Sequence, residues 1–498
     1  MSGDKVRVQL EPSSAVVEIL RGALLTSALP ELGVEFPCGG TALCGGCRVR
    51  VLEGSLPITG PDRSIFSADE LADGRRLACK AHAETPLVLE CGQWRMDILT
   101  DNSSLSGAGK RDLGIAIDLG TTTIAAQMID LATGSVLGVE TALNPQASFG
   151  ADVMSRILAA LQGADLTTVV RLALRQMIVK LAGSRDEEIV EVVLVGNTVM
   201  HHLFCGLDVE PLSHTPFHSP HLEAQSFRPQ ELGWPLPASC SIRFERCLGG
   251  FVGSDILAGI LAAGILRGED LLALVDLGTN GEIAIGNREG IVCASTAAGP
   301  AFEAGSIRMG MRAAAGAISR VWLDHGEMRA TVIGDVEARG ICGSGLVDAV
   351  AAGLECGAIL PSGRVANGTK QFPVMGSVIL YQADIRELQL AKAAIASGFR
   401  LLLKHLGADA GSLRNIYLAG AFGNYVQAEN AIAIGLLEAP IQEAPIKRIH
   451  ASGNTALHGA KMLLLSASEP ALPKIEHVSL AADPGFQDEF ADCIAFTA

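Results

Sequence analysis

Four cysteines carry the first chemical signal in this chain. Cys38, Cys44 and Cys47 lie in PCGGTALCGGCRV, with five and then two residues between them, and Cys79 follows after thirty-one more. A tight loop presenting three thiolates, with a fourth from elsewhere in the same domain, suits a [2Fe–2S] cluster. Glycines in that loop let backbone amides approach the sulfurs, where their hydrogen bonds stabilise the reduced state. Tetrahedral zinc is the alternative for four cysteines, but it is usually built from two CxxC knuckles. Only one such pair is present and Cys79 is solitary, which favours iron and sulfide. The remaining eight of the 12 cysteines stand in apolar contexts and read as small core residues.

A second signal is a carboxylate followed by small polar residues at a strand end. Asp118 precedes Leu119, Gly120, Thr121, Thr122 and Thr123, and Asp276 precedes Leu277, Gly278, Thr279 and Asn280. The carboxylate can hold the water shell of Mg2+ while amides and hydroxyls take β- and γ-phosphate oxygens. Two such hairpins are far more telling than one, because facing carboxylates can share a single metal–nucleotide. A third turn, LAGAFGN with Gly420, Gly423 and Asn424, would let backbone lie against an adenosine and its α-phosphate. The bland alternative is three tight turns in an ordinary α/β protein.

Other candidates are weaker. Glu303, in GPAFEAGSI, could orient water or metal, and Asp255 or Glu282 could serve as the base of a phosphate-accepting enzyme. His201 and His202 are adjacent, and neighbouring helical positions point about 100° apart, which favours a structural role over a metal pair. Gly343-Ser344-Gly345 opens a helix, where packing and nucleotide contact are equally open readings.

The elements around these residues divide the chain. Residues 1–100 hold short strand-like runs (Val6–Leu10, Val16–Leu20, Val49–Leu52, Leu87–Cys91), an apolar helix around Ala23–Leu29 and a second helix at the Ser67 capping box. That pattern predicts a small α+β module. The segment 101–112, DNSSLSGAGKRD, is polar, rich in Ser and Gly, and reads as a linker. Beyond it GIAIDLG, TTTIAAQMID and SVLGVET are repeated in kind by ALVDLGTN, GEIAIGN and GIVCAST. Such a duplication predicts two related halves, 113–250 and 251–498. A long helical region is expected from Asp152 to about Ala182, a strand at Val192–Val195, a helix at Leu346–Gly353 and a strand at Asn415–Leu418.

Bulk properties set limits. At 498 residues with 49% apolar side chains, two or three domains are expected. The 54 acidic against 38 basic residues give a formal charge of −16, a field that repels nucleic acid. The opening MSGDKVRVQLEP lacks a basic-then-apolar signal, and the longest apolar stretch, Ile256 to Leu266, is too short to cross a bilayer. A cytoplasmic protein with reduced or metal-bound thiols, and with no membrane or nucleic-acid partner, is expected.

Several of these segments resemble known families. The first cysteine gap is one residue longer than the plant-type spacing and resembles the adrenodoxin-like branch; Arg76-Leu77-Ala78-Cys79 resembles the segment holding the last ligand there. The three glycine turns together resemble the phosphate-one, phosphate-two and adenosine elements of the acetate kinase, sugar kinase, heat-shock chaperone and actin superfamily. That likeness implies a β-grasp ferredoxin domain followed by an actin-like ATPase of two duplicated RNase H-like half-domains. The whole chain resembles the reductive activators of corrinoid-dependent methyltransferases, through CGGTALCGGC, AIDLGTTT, NPQASFGADVMSRI, VGNTVMHHLF, VDLGTNGEI, ICGSGLVD, QLAKAAI and LAGAFGNY.

The resemblance implies a function: ATP-dependent return of an inactive Co(II) corrinoid to Co(I) by an electron from the cluster. It implies ATP and Mg2+ beside the [2Fe–2S] centre, a corrinoid-binding methyltransferase protein as partner and an upstream low-potential reductant. A homodimer through the ATPase body is a further expectation. This chain departs from larger members in its compactness, and from another branch in lacking a C-terminal cysteine cluster. Two rival classes stay open: a small-molecule kinase with a regulatory iron–sulfur domain, and an electron-gating ATPase for a radical dehydratase. A chaperone is least favoured, since no substrate-binding domain follows the ATPase.

Overall fold

A computed structural model describes residues 4–11, 15–27, 29, 42, 47–91, 100, 105, 112–278, 280–366, 368–438, 448–466 and 471–497. Cys38, Cys44, Thr279 and nearly all of the expected linker lie outside the described residues.

The first unit is a five-stranded sheet of β1 (Lys5–Glu11), β2 (Ala15–Leu20), β3 (Arg48–Glu53), β4 (Arg75–Leu77) and β5 (Leu87–Cys91). The order β2-β1-β5-β3-β4, with β1 and β5 parallel at its centre, is the β-grasp arrangement. In β1 the alternation puts Val6, Val8 and Leu10 inside and leaves Lys5 and Arg7 in water. Two short helices, α1 (Gly60–Ile65) and α2 (Ala68–Ala72), each begin with a capping box, Thr59 with Asp62 and Ser67 with Glu70. The helix expected around Ala23–Leu29 is instead a bridge from Leu24 to His82 and a 3-10 turn, Leu25–Ser27. Backbone groups that a helix would need are spent across the chain, where Leu25 N donates to Ala81 O and Ala83 N to Ala23 O.

The larger remainder of the chain is built on two six-stranded sheets. The first orders β10 (Gln225–Phe227), β11 (Ser241–Phe244), β9 (Ile189–Val195), β6 (Leu113–Leu119), β7 (Thr123–Asp130) and β8 (Val136–Leu143). The second orders β21 (Ile449–Ala451), β20 (Leu413–Ala419), β12 (Leu271–Leu277), β13 (Gly281–Gly286), β14 (Gly290–Thr296) and β22 (Lys474–His477). In each, an antiparallel three-strand meander is flanked by a strand parallel to its first member: β9 beside β6, β20 beside β12. The central strands are buried on both faces, which is why they read as unbroken apolar runs.

Helices cover these sheets: α3 (Val153–Leu161), α4 (Leu166–Ala182), α5 (Thr198–Cys205) and α6 (Pro229–Leu232) in the first half, then α7 (Ser254–Ala262), α8 (Gly343–Glu355), α9 (Gln382–His405), α10 (Gly420–Gly423), α11 (Ala428–Ala433), α12 (Thr455–Leu465) and α13 (Phe486–Asp492). The long helical region expected from Asp152 to about Ala182 is made of two helices, because Asp165 caps a new start by accepting from Thr168 N. α7 and α12 pack so closely that a Cβ on Gly459 would lie 2.1 Å from Ala258 O. α12 buries Leu457, Ala460 and Leu464 against Ala116, Val193 and Val195 of the first sheet. Thus the stretch 251–498 includes a helix that completes the first half. A three-stranded sheet, β16 (Glu327–Val332), β15 (Ala317–Asp324) and β17 (Gly340–Ile341), and the hairpin β18 (Gln371–Met375) with β19 (Val378–Tyr381) are inserted before α9. Among the described residues no helix is long and apolar enough to cross a membrane.

Candidate nucleotide cleft and cluster domain

Two of the expected carboxylates meet two others. Asp118 ends β6 and Asp276 stands at the same place in β12, with Glu282 directly across from Asp276 in the β13 register. Asp255 sits in the first turn of α7. Burial raises the Asp118 carboxyl to about 6, against a hydrogen bond from Asn454 Nδ2 at 2.9 Å that favours its charge. Burial and then the charge of Asp118 raise Asp276 to about 7. Asp255 is pushed up by burial and by the charges of Asp276 and Asp118; Glu282 rises well above its ordinary value through burial and the same neighbours, Asp255 and Asp276. Carboxyl groups this close cannot all ionise unless a cation joins them. The donor set, all hard oxygens at one cleft, fits a hydrated divalent ion of the Mg2+ kind.

The turns beside these carboxylates show a shared construction. Gly196 follows β9 and Gly420 follows β20, each beside the strand that ends in the aspartate. A Cβ on Gly196 would lie 2.6 Å from Leu119 O. Gly420 has φ +82°, and a Cβ there would lie 2.5 Å from Asp276 Oδ1 and 3.0 Å from Leu277 O. Gly420 is thus required by its left-handed backbone and by its contact with the second carboxylate. Gly120 N donates to Thr123 O at 3.0 Å and Gly278 N to Asn280 O at 3.2 Å, closing the two hairpins alike. Thr121 is buried, while Thr122, Thr123, Asn280 and Asn424 are half-buried at the cleft. Gly423 packs on β20, 3.2 Å from Leu418 C measured from an added Cβ.

Other expectations separate from this group. Glu303 is exposed at the end of a 3-10 turn, Pro300–Glu303, and the charges acting on Asp255 and Asp276 come from the other buried aspartates. Gly343 is explained by packing, since its Cβ would fall 1.7 Å from Phe302 O. His201 and His202 are fully buried; His202 Nε2 meets Ser219 Oγ at 2.6 Å and its Nδ1 meets Thr198 O at 2.8 Å. That pair belongs to the core, and among the described residues no group of three or more His, Cys, Asp or Glu could hold a metal ion by ligand geometry. Asn454 escaped sequence reasoning. Its signal was faint: an Asn before Thr455 that reads only as a helix cap.

In the β-grasp unit, Cys47 and Cys79 are both buried, and Ala78 N donates to Cys47 O at 2.9 Å, so the two cysteines lie on adjoining segments. Leu77 N is held by Asp62 Oδ1 at 2.8 Å and Arg76 by three backbone carbonyls, which fixes the approach to Cys79. Two buried thiols on braced neighbouring segments fit half of a cysteine-ligated cluster. By contrast the buried thiols of Cys240, Cys247 and Cys293 are pushed up to about 12 by desolvation, as expected of inert core residues. The unit docks on the second half through charge. Arg48 Nη1 donates to Arg308 O at 2.6 Å, Arg308 Nη2 lies 3.4 Å from Glu70, and Arg339 Nη1 lies 2.8 Å from Glu90. Arg308 also lies over the Tyr381 ring at 4.4 Å, and its amide is held by Asp384 at the start of α9.

Fold and site together define an actin-like ATPase body carrying a β-grasp ferredoxin domain in one chain. Residues 8–84 match the family described as 2Fe-2S iron-sulfur cluster binding domain, 113–268 the RACo middle region, and 270–498 the C-terminal domain of RACo the ASKHA domain. The corrinoid activation enzyme RamQ of Eubacterium limosum is 36% identical over 415 residues, 76% of this chain and 69% of that protein. A [Co(II) methylated amine-specific corrinoid protein] reductase of Methanosarcina barkeri is 29% identical over 393 residues, 71% of this chain and 70% of that protein. A solved reductive activator for corrinoid, iron-sulfur protein superposes with a TM-score of 0.66 at 27% identity, covering 99% of this chain and 98% of that one. The chain belongs to the family of corrinoid reductive activators.

Proposed function

We propose that this chain uses ATP to drive an electron from its ferredoxin domain onto the Co(II) corrinoid of a methyltransferase protein, returning it to Co(I). The observation that carries the reading is the joining, in one chain, of a braced cysteine domain to a cleft with paired strand-end aspartates, by ion pairs that reach the start of α9. The names of the relatives supply the partner class.

In this reading Cys38, Cys44, Cys47 and Cys79 hold the cluster, which when bound supplies one electron at about −400 mV, the level of plant-type ferredoxins. An upstream low-potential reductant refills it. Asp118 and Asp276 would hold the waters of Mg2+, which would supply charge neutralisation for the carboxylates and the phosphates. Gly120, Thr121, Thr122 and Thr123 would take the phosphates together with Gly278, Thr279 and Asn280, and Gly420, Gly423 and Asn424 would take the adenosine. Glu303, which is exposed and apart from the buried carboxylates, is left with no more than a water-orienting role in this reading.

Re-reducing Co(II) needs more driving force than the electron alone provides, so nucleotide must stabilise one conformation of the complex over another. The chain has a route for this. Asp255 opens α7 and Asn454 caps α12, so a ligand drawing on the four carboxylates pulls on both helices that join the halves. Gly281 of β13 packs under Ile395 of α9, so movement at the second hairpin reaches the platform on which the ferredoxin domain rests.

The fate of the γ-phosphate tests the reading. With γ-labelled ATP and a panel of Co(II) methyltransferase corrinoid proteins, label should appear as inorganic phosphate, and its release should quicken with one member of the panel. Label recovered in a small metabolite would put the kinase class first.

A further inference from the structure

The NPQASFGADVMSRI block follows the meander of the first half, and three of its polar side chains turn inward. Asn144, Gln146 and Arg156 are all fully buried. Asn144 Nδ2 donates to Gly120 O at 2.9 Å, Asn144 N to Thr122 O at 2.9 Å, and Arg156 Nη2 to Thr121 O at 2.5 Å. The carbonyls of Gly120, Thr121 and Thr122 are therefore each taken by Asn144 or Arg156, while Thr123 O accepts from Gly120 N. In a planar trans peptide the C=O and the next N–H point in opposite directions. Holding Gly120 O and Thr121 O thus turns the amides of Thr121 and Thr122 away from Asn144 and Arg156. From the other side, Asn197 Nδ2 fixes the Thr121 hydroxyl at 2.8 Å.

We infer that Arg156, with Asn144, is the positioning clamp of the first phosphate loop: it aims the loop amides at the nucleotide and sets a buried positive charge behind them. This rests on the nucleotide reading above and says which residues make that loop competent.

A merely structural brace would not need a cation. Arg156 Nε donates to Gly150 O at 2.9 Å and Nη1 approaches Met200 Sδ at 3.6 Å, so its hydrogen bonds go to carbonyls and sulfur. Asp152 acts on it only through space, its own carboxylate being occupied by Ser155 N and Oγ at 2.8 and 2.7 Å. Burial accordingly pulls the guanidinium down to about 9. A buried charge without an ion-pair partner is costly, and is tolerated where a ligand of opposite sign completes it. Phosphate oxygens on the far side of Thr121 are such a ligand.

The test is Mg·ATP binding to the full chain by titration calorimetry, with steady-state hydrolysis and melting of the nucleotide-free protein measured alongside. Arg156→Lys keeps the charge but cannot reach Thr121 O and Gly150 O together, and Asn144→Ser releases Gly120 O. Each should weaken ATP by about 10-fold or more, raising KM more than it lowers kcat. Nucleotide-free melting and the cluster spectrum should stay close to wild type, and Arg156→Met should bind more weakly than Arg156→Lys. Wild-type affinity in both variants would overturn the clamp, and so would loss of the nucleotide-free melting transition in both. If the unaltered protein bound no Mg·ATP, the nucleotide reading itself would fall instead.

Discussion

Arg48, the residue after Cys47, donates from Nη1 to the backbone carbonyl of Arg308 at 2.6 Å, across 260 residues of chain. The contact joins the cysteine domain to the inserted segment ahead of α9, and two ion pairs flank it, Arg308 with Glu70 and Arg339 with Glu90. All four side chains of those pairs are partly exposed, so each pair is worth only about 0.2–1 kcal/mol and is screened by salt. Such a seam holds a domain in place without locking it.

Replacing Arg308 and Arg339 by alanine should therefore loosen the domain without harming the cleft. Distances measured between fluorophores on the two units should broaden and lengthen, as they should in wild type when salt rises from about 0.05 to about 0.5 M. Basal ATP hydrolysis should change by less than about twofold, since neither arginine lies at the carboxylates. An unchanged distance distribution in the double variant would assign the docking to other contacts.

Asp118→Ala and Asp276→Ala should each cut ATP hydrolysis by about 100-fold or more, leaving the iron–sulfur absorbance intact. Gly420→Val should also weaken nucleotide binding. The reason is specific: the new Cβ would intrude on Asp276 Oδ1 and the residue could no longer hold φ +82° without strain. Hydrolysis assays with the spectrum recorded on the same sample separate the two sites.

The raised carboxyls give the metal-free protein a pH signature. Asp118 and Asp276 keep protons in the folded state up to about 6 and about 7, whereas in the unfolded chain they lose them near 3.8. Between those limits the folded state binds more protons, so its stability falls as pH rises. Melting temperature without metal should drop between about pH 4 and about pH 7, and saturating Mg·ATP should remove much of that drop. Asp276→Asn should flatten the metal-free profile; a flat wild-type profile would contradict the clustering of these groups.

Cys79→Ser should abolish or badly disturb the cluster, whereas Cys356→Ser, at an exposed position at the end of α8, should leave it unchanged. Iron and sulfide analysis of anaerobically prepared protein, at about two of each per chain in wild type, checks both.

Much of this arrangement was legible in the residue pattern. The paired Asp-Leu-Gly hairpins and their meanders could be read because a buried strand ending in a carboxylate has few uses, and its repetition marks a second half. The Ser67 capping box gave the start of α2 for a local reason. What escaped depends on tertiary partners. The Ala23–Leu29 segment has the composition of a helix but spends its backbone on Ala81 and Ala83. α12 reads as part of the second half and packs on the first, through Leu464 beside Gly114. Asp255 and Glu282 were visible as acids, but only the β12–β13 register and the start of α7 bring them to Asp276. Nothing in the sequence set Arg156 apart, and its burial under the phosphate loop follows from α3 folding back onto Thr121.

The central claim is that ATP and the cysteine domain act together on a corrinoid. The direct measurement is the visible spectrum of a methyltransferase corrinoid protein held as Co(II), mixed anaerobically with the intact chain and a low-potential chemical reductant. With Mg·ATP the Co(II) bands should give way to those of Co(I) over repeated turnovers. Asp276→Ala and Cys79→Ser should each fail, the first for want of ATP use and the second for want of an electron path. Reduction of the corrinoid at the same rate and to the same extent without nucleotide would contradict the coupling.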